Sequence, residues 1–176
     1  MTQRSTVPLA TMLAVLAGPA ASAMTLASPD IRPNGPIAAA QIYARCGGQN
    51  ISPRLIWSGA PAGARSLVLT MIDLDVKPAL WSHWIVVDLP PTSSGLPRGA
   101  RQLPGGAAAV AGNFADAAYD GPCPPAGTGV HRYRFTIWAM PGPRTLIAPD
   151  AKASDFGPRL RRSALDKASL TGWVKR

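Results

Sequence analysis

Hydrophobic positions in this chain fall in short runs separated by turn residues, a pattern of many strands and few long helices. Ser66–Asp73 (SLVLTMID) is short and apolar, as a buried strand is. Trp81–Leu89 (WSHWIVVDL) reads the same way and is ended by Pro90 and Pro91, because proline cannot serve an interior ladder. His131–Met140 (HRYRFTIWAM) is the clearest strand. Met24–Asp30, Gln41–Cys46 (stopped by Gly47 and Gly48) and Leu55–Trp57 are shorter strand candidates, and Ala107–Val110 is ambiguous. Turns are read at 33–36 (PNGP) and 50–53 (NISP), and Gly/Pro-rich loops at 91–106 and 120–130. One helix fits near the end: Ser154 or Asp155 caps it, Pro158 is tolerable only in its first turn, and Phe156, Leu160 and Ala164 share a face. At least five strands and one helix predict a mainly β domain with antiparallel pairing, in two layers or as a broad sheet plus a smaller one. No internal repeat or linker divides it.

Residues 1–23 have the pattern of a signal peptide: Arg4 in a weak basic region, an apolar stretch from Pro8 to Ala17, and Ala21-Ser22-Ala23 as a small-residue cleavage site. The apolar stretch is shorter than the roughly 20 residues that span a bilayer. An uncleaved anchor is the alternative. No cysteine follows the cleavage site, so neither a lipid anchor nor a stable membrane anchor is expected. The folded domain is then 24–176, and its expected location is the periplasm or outside the cell. Such a compartment is oxidising. Cys46 and Cys123, 77 positions apart, are the only cysteines. They form one intramolecular disulfide, worth about 4 kcal/mol at most by loop entropy, or remain as two buried thiols.

Composition narrows the chemistry. All nine acidic residues are Asp, so mechanisms that need a Glu base or ligand are excluded. The formal charge of +9 fits anionic partners, or simply solubility with an Arg-rich bias. The densest basic run, Arg159, Arg161 and Arg162, has no aromatic ladder beside it, so no nucleic-acid partner is expected. Imidazole chemistry rests on His83 and His131, the only two histidines.

Strand periodicity places these groups. His131, Tyr133, Phe135, Ile137 and Ala139 share one face of the third long run, with His131 and Tyr133 at its start. His83, Ile85, Val87 and Leu89 share a face of the second, with His83 at its start. Asp73 ends the first, and Asp75, two positions on, points to the same side. If the runs are neighbours, two imidazoles, a carboxylate and a phenol meet at the rim of an apolar layer, a small pocket for an anion. The loop Gly121-Pro122-Cys123-Pro124-Pro125 is a stiffened wall, and Gly127 and Gly129 let the backbone turn sharply. Each histidine alone reads equally as a structural, hydrogen-bonded side chain, and the five tryptophans read as core.

The runs Asp73-Leu74-Asp75, Trp81-Ser82-His83-Trp84-Ile85-Val86-Val87 and Tyr119 to Tyr133 (YDGPCPPAGTGVHRY) resemble the phosphatidylethanolamine-binding protein family, as does Cys46 to Pro53 (CGGQNISP). The ending Leu170-Thr171-Gly172-Trp173 is similar to the short bacterial branch. The resemblance implies a large central sheet packed on a smaller one, with one or two short helices, and a pocket for phosphate-like groups. Matched residue by residue, that pocket is Asp73, Trp81, His83, Tyr119, Gly121, Pro124, Pro125, His131 and Tyr133, with Asp75 as the second aspartate of the motif. Leu74 stands where the family has proline, and the segment 76–78 departs from the pattern at the rim, where Lys77 adds a cation.

The expected function is non-enzymatic, exported binding of a phosphate-like group on a phospholipid or a phosphorylated small molecule, with no cofactor. One alternative is a periplasmic inhibitor or interaction protein with a protein partner at the pocket rim. Another is a hydrolase using a metal at Asp73, His83 and His131, although no metal-ligand spacing motif is visible.

Overall fold

The computed structural model describes residues 23–114, 116–145, 147 and 152–176. The leader read over 1–23 therefore lies, Ala23 apart, outside the described residues. Two antiparallel sheets are built from eight strands: β1 (Thr25–Ala27), β2 (Leu55–Ser58), β3 (Ser66–Asp73), β4 (Trp81–Leu89), β5 (Gly95–Leu96), β6 (Ala108–Ala109), β7 (Val130–Met140) and β8 (Asp166–Lys175). The small sheet has the order β1-β2-β5 and the large one β6-β4-β3-β7-β8. Among the described residues, no helix is long and apolar enough to cross a membrane.

The central position of β3 follows from its composition. All eight residues are buried, because both faces of the large sheet are covered. On one side Leu67, Leu69 and Met71 pack with Trp84, Val86, Tyr133, Phe135 and Ile137 against Leu55, Trp57 and Leu96 of the small sheet. On the other side Val68, Ile72, Ile85, Val87, Trp138 and Met140 pack under α1 (Ala153–Ser163) through Phe156 and Leu160.

Several elements differ from the sequence reading. Gln41–Cys46 is not a strand. Its backbone turns, with Gln41 N–H bonded to Ala38 O and Ile42 N–H to Ala39 O, and it ends in a 3-10 turn (Ala44–Cys46) closed by Gly47 at φ 84°. The helix starts at Ala153, where the Lys152 N–H donates to the Asp155 carboxylate at 3.3 Å. Pro158 is thus its sixth residue rather than part of its first turn, and the burial of Phe156 and Leu160 on either side holds the helix through it. The chain end forms a long strand, β8, paired with β7 from Val130↔Lys175 to Ala139↔Asp166. Its outer edge is covered by residues 34–37, with Ile37 N–H bonded to Trp173 O at 2.8 Å, so it offers no open ladder there.

The alternation expected along β4 is interrupted twice. Opposite β3, Ile72 pairs with Ser82 but Met71 pairs with Trp84, so His83 is an extra, bulged residue. A second shift falls between Val86 and Leu89, where Asp88 has φ 57°. His83 and Leu89 therefore do not share a face with Ile85 and Val87. They lie toward the core between the sheets, on the side of Trp84 and Val86, while Ile85 and Val87 face α1.

Candidate functional site

The end of the large sheet brings four of the expected groups together. Asp73 and Tyr133 are directly opposite each other in the β3–β7 ladder, and His131 lies two residues before Tyr133 on the same face. The His131 Nδ1 donates to Asp73 Oδ2 at 2.7 Å. Its Nε2 meets the Thr128 hydroxyl at 3.0 Å, and that hydroxyl donates its own proton to Pro125 O at 2.7 Å. Gly127 and Gly129 have φ of 82° and 85°, which gives the Thr128 turn its shape.

The β4 bulge carries His83 to the same place. Its ring stands edge-on to Tyr133 (centroids 5.1 Å apart) and against Phe114 (5.0 Å). Its Nδ1 bonds to Asp120 O at 2.9 Å, and its backbone carbonyl accepts the Asp120 N–H at 3.0 Å. A carbonyl only accepts, so His83 carries its proton on Nδ1. Burial pushes its pKa down to about 4, so the ring is neutral at pH 7 with Nε2 as an acceptor. Among the described residues the buried Tyr133 hydroxyl has no partner at hydrogen-bond distance, with the Asp73 carboxylate and the Cys123 backbone nearby. Burial, and then the Asp73 charge, push its pKa up, so it stays protonated and able to donate.

Access is narrow: His83 and His131 are 4% and 5% exposed and Asp73 2%. Trp81, 36% exposed, stands edge-on to Phe114, and Tyr43 also packs against the Phe114 ring. Phe114 and Tyr43 were not singled out in the sequence, although Phe114 is a lone large aromatic in a run of Ala, Gly and Asn.

The loop 121–125 forms a fixed wall. Asn50 clamps its start, accepting from Gly121 N–H at 2.7 Å and donating to Tyr119 O at 3.2 Å. A Cβ on Gly121 would collide with Gln41 O and Tyr43 N, so only glycine fits. Cys46 and Cys123 are joined in a disulfide, which ties this wall to the 3-10 turn. Pro124 is buried and Pro125 exposed, and the Arg176 guanidinium donates to Pro124 O at 3.2 Å.

Two expected residues stand apart. The Tyr119 ring packs edge-on to Trp84, its hydroxyl donates to Gln41 O at 2.9 Å, and it lines a neighbouring cavity of about 410 Å3 rather than meeting the imidazoles. Asp75 does not share the Asp73 site. The strand ends at Asp73, whose Oδ1 accepts the Asp75 N–H at 2.9 Å, and the turn sends Asp75 to a bidentate pair with Arg132 (2.6 and 3.0 Å). The Arg132 guanidinium holds the Asp75 carboxyl below the usual carboxylate range. The sequence reading also passed over Asp120, buried on the loop that holds His83. Burial, and then the nearby Asp116, push its pKa up to about 6.

The family model described as Phosphatidylethanolamine-binding protein matches residues 27–175. The chain belongs to the phosphatidylethanolamine-binding protein family. The crystal structure of Escherichia coli YbcL, titled as a new member of the mammalian family, is similar with a TM-score of 0.79 and 29% identity, covering 88% of this chain and 99% of that one. The Chlamydia trachomatis homologue CT736 is similar with a TM-score of 0.71 and 32% identity, over 88% of this chain and 98% of that one. A Mycobacterium tuberculosis relative named "Putative lipoprotein LppC" is 38% identical over 94% of this chain and 80% of its own length. The family fold expected from the sequence, a large sheet on a smaller one, is the fold found.

Proposed function

We propose that this family member is an exported, non-enzymatic binding protein that takes a phosphate-like group of a phospholipid or phosphorylated small molecule between His83 and His131. The single observation that carries the reading is the buried, unpartnered Tyr133 hydroxyl beside the Asp73–His131 pair. A buried polar group without a partner costs about 1–3 kcal/mol, and a ligand oxygen at this point relieves that cost. His131 supplies a second donor through Nε2 once Thr128 yields it. Asp73 orients the ring, and Trp81 and the 121–125 wall bound the opening.

Two of the groups that a metal-dependent hydrolase would use are already engaged. Asp73 Oδ2 is held by His131 and His83 Nδ1 by Asp120. Export is supported by the signal-peptide pattern, by the disulfide and by the lipoprotein name of the mycobacterial relative.

Titration calorimetry with O-phosphoethanolamine tests the reading. Saturable one-to-one binding is expected for the natural chain, with at least a tenfold loss in His131→Ala. Heats that do not saturate, or that are equal in the two proteins, refute it.

A further inference from the structure

We infer that the pocket selects a phosphate oxygen that still carries a proton, and so a phosphomonoester over the phosphodiester of an intact phospholipid; this rests on the head-group reading above. The argument turns on the two nitrogens of His83. Nδ1 is 2.9 Å from Asp120 O, a group that can only accept, so the proton sits on Nδ1. The backbone fixes this choice, since the Asp120 N–H is bonded in turn to His83 O at 3.0 Å and Asn50 clamps the flanking residues. Nε2 is left as a lone pair, with the Gly121 backbone as the second hydrogen-bonding group beside the ring. Phe114 and Tyr133 pack against the ring.

A deprotonated phosphate oxygen set against Nε2 brings two lone pairs together. One proton must lie between them. A monoester monoanion carries it as P–OH and donates to Nε2, while its other oxygens accept from Tyr133 Oη and His131 Nε2. A diester has no P–OH, so His83 must first take up a proton from water. Burial resists that, because His83 titrates at about 4. The monoester brings its proton with it and leaves His83 neutral, whereas the diester complex gains one proton, and one positive charge, on His83.

The titratable groups around His83 are Asp73 on β3, His131 and Tyr133 on β7, and Asp120 on the loop, with the Asp75–Arg132 pair beyond them. Asp73 favours and His131 opposes a charged His83, the form that only the diester complex requires.

The experiment compares O-phosphoethanolamine with glycerophosphoethanolamine, a monoester and a diester with the same amine, by calorimetry in buffers of differing ionisation enthalpy at pH 5, 6 and 7. A monoester loses its second proton near pH 6. At pH 6 the monoester is expected to bind at least tenfold more tightly. At pH 5 the diester is expected to take up about one proton more per molecule bound, by linkage to a ring that titrates near 4. Long-range proton–nitrogen NMR at pH 7 is expected to show His83 as the neutral Nδ1–H form.

Equal affinities with equal proton counts overturn this inference and leave the head-group reading standing. An Nε2–H or doubly protonated His83 at pH 7 also overturns it. No binding of either compound at any pH overturns the head-group reading itself.

Discussion

His131 and Asp73, 58 positions apart, meet at 2.7 Å between Nδ1 and Oδ2, with both side chains almost fully withdrawn from water. The contact is possible because β3 and β7 are neighbours and Asp73 faces Tyr133 across the ladder, which puts His131 on its diagonal. Asp73→Ala leaves the His131 Nδ1–H buried without an acceptor and frees the Asp75 turn. Breaking a buried pair of this kind costs about 3–5 kcal/mol. Urea unfolding at pH 7 is expected to show a loss in that range, and Asp73→Asn, which keeps an acceptor, a smaller one. A loss below 1 kcal/mol for the alanine variant contradicts the pairing.

His83 and Asp120 give the stability of the domain opposite pH slopes. His83 is pushed down to about 4 from its usual 6.5, so the unfolded chain binds the extra proton between those values. Its contribution therefore grows as pH rises through that window, by about 3 kcal/mol at most, and is absent below pH 4. Asp120 is pushed up to about 6 from 3.8, so the folded chain binds the extra proton and stability falls as pH rises from 3.8 to 6. Asp120→Asn keeps the backbone bonds to His83 and removes only the falling part. Unfolding midpoints across pH 4–7 are expected to rise with pH more steeply in this variant than in the natural chain, and the variant is the more stable at pH 7. Parallel curves reject this assignment.

The disulfide joins the loop 121–125 to the 3-10 turn across 77 positions. Loop entropy sets its contribution at about 2–4 kcal/mol. The double variant Cys46→Ser, Cys123→Ser is expected to lose that amount in denaturant unfolding. Its affinity for O-phosphoethanolamine is also expected to fall, because residues 121–125 are freed. Unchanged affinity would place the wall outside the ligand's reach.

The sequence carries the meeting of Asp73, His83, His131 and Tyr133 more fully than it carries the strands around them. Period-two alternation places His131 and Tyr133 correctly because β7 is unbroken over eleven residues. The same rule fails on β4, where two bulges change the phase, and nothing in WSHWIVVDL marks where an extra residue enters. It also passes over β8, whose inward residues include Ala168 and Gly172. The alternation is present there, but small side chains hide it. Gly172 is small because Ile37 and Ile31 press on it from the segment covering the sheet edge, a contact between distant parts of the chain. Spacing alone places Asp75 with Asp73, and spacing does not show that the strand ends between them. The role of Phe114 and the carbonyl of Asp120 in fixing the His83 ring is likewise a matter of tertiary placement, since loops carry no period to read.

Tyr133→Phe separates a binding group from a structural one. The ring is fully buried between the sheets and next to His83, while its hydroxyl has no partner at hydrogen-bond distance among the described residues. Removing an unpartnered buried hydroxyl relieves a desolvation cost of about 1–3 kcal/mol. The ring keeps its packing, so the variant is expected to be as stable as the natural chain or more stable, its melting temperature unchanged or raised by a few degrees. The same hydroxyl donates to the bound phosphate in the proposed pocket. O-Phosphoethanolamine is therefore expected to bind about tenfold more weakly, the worth of one hydrogen bond to a charged acceptor. A structural tyrosine would show the reverse, with stability lost and binding untouched. Thermal unfolding and calorimetry on a single preparation decide between the two, and a variant that is destabilised and still binds normally removes Tyr133 from the site.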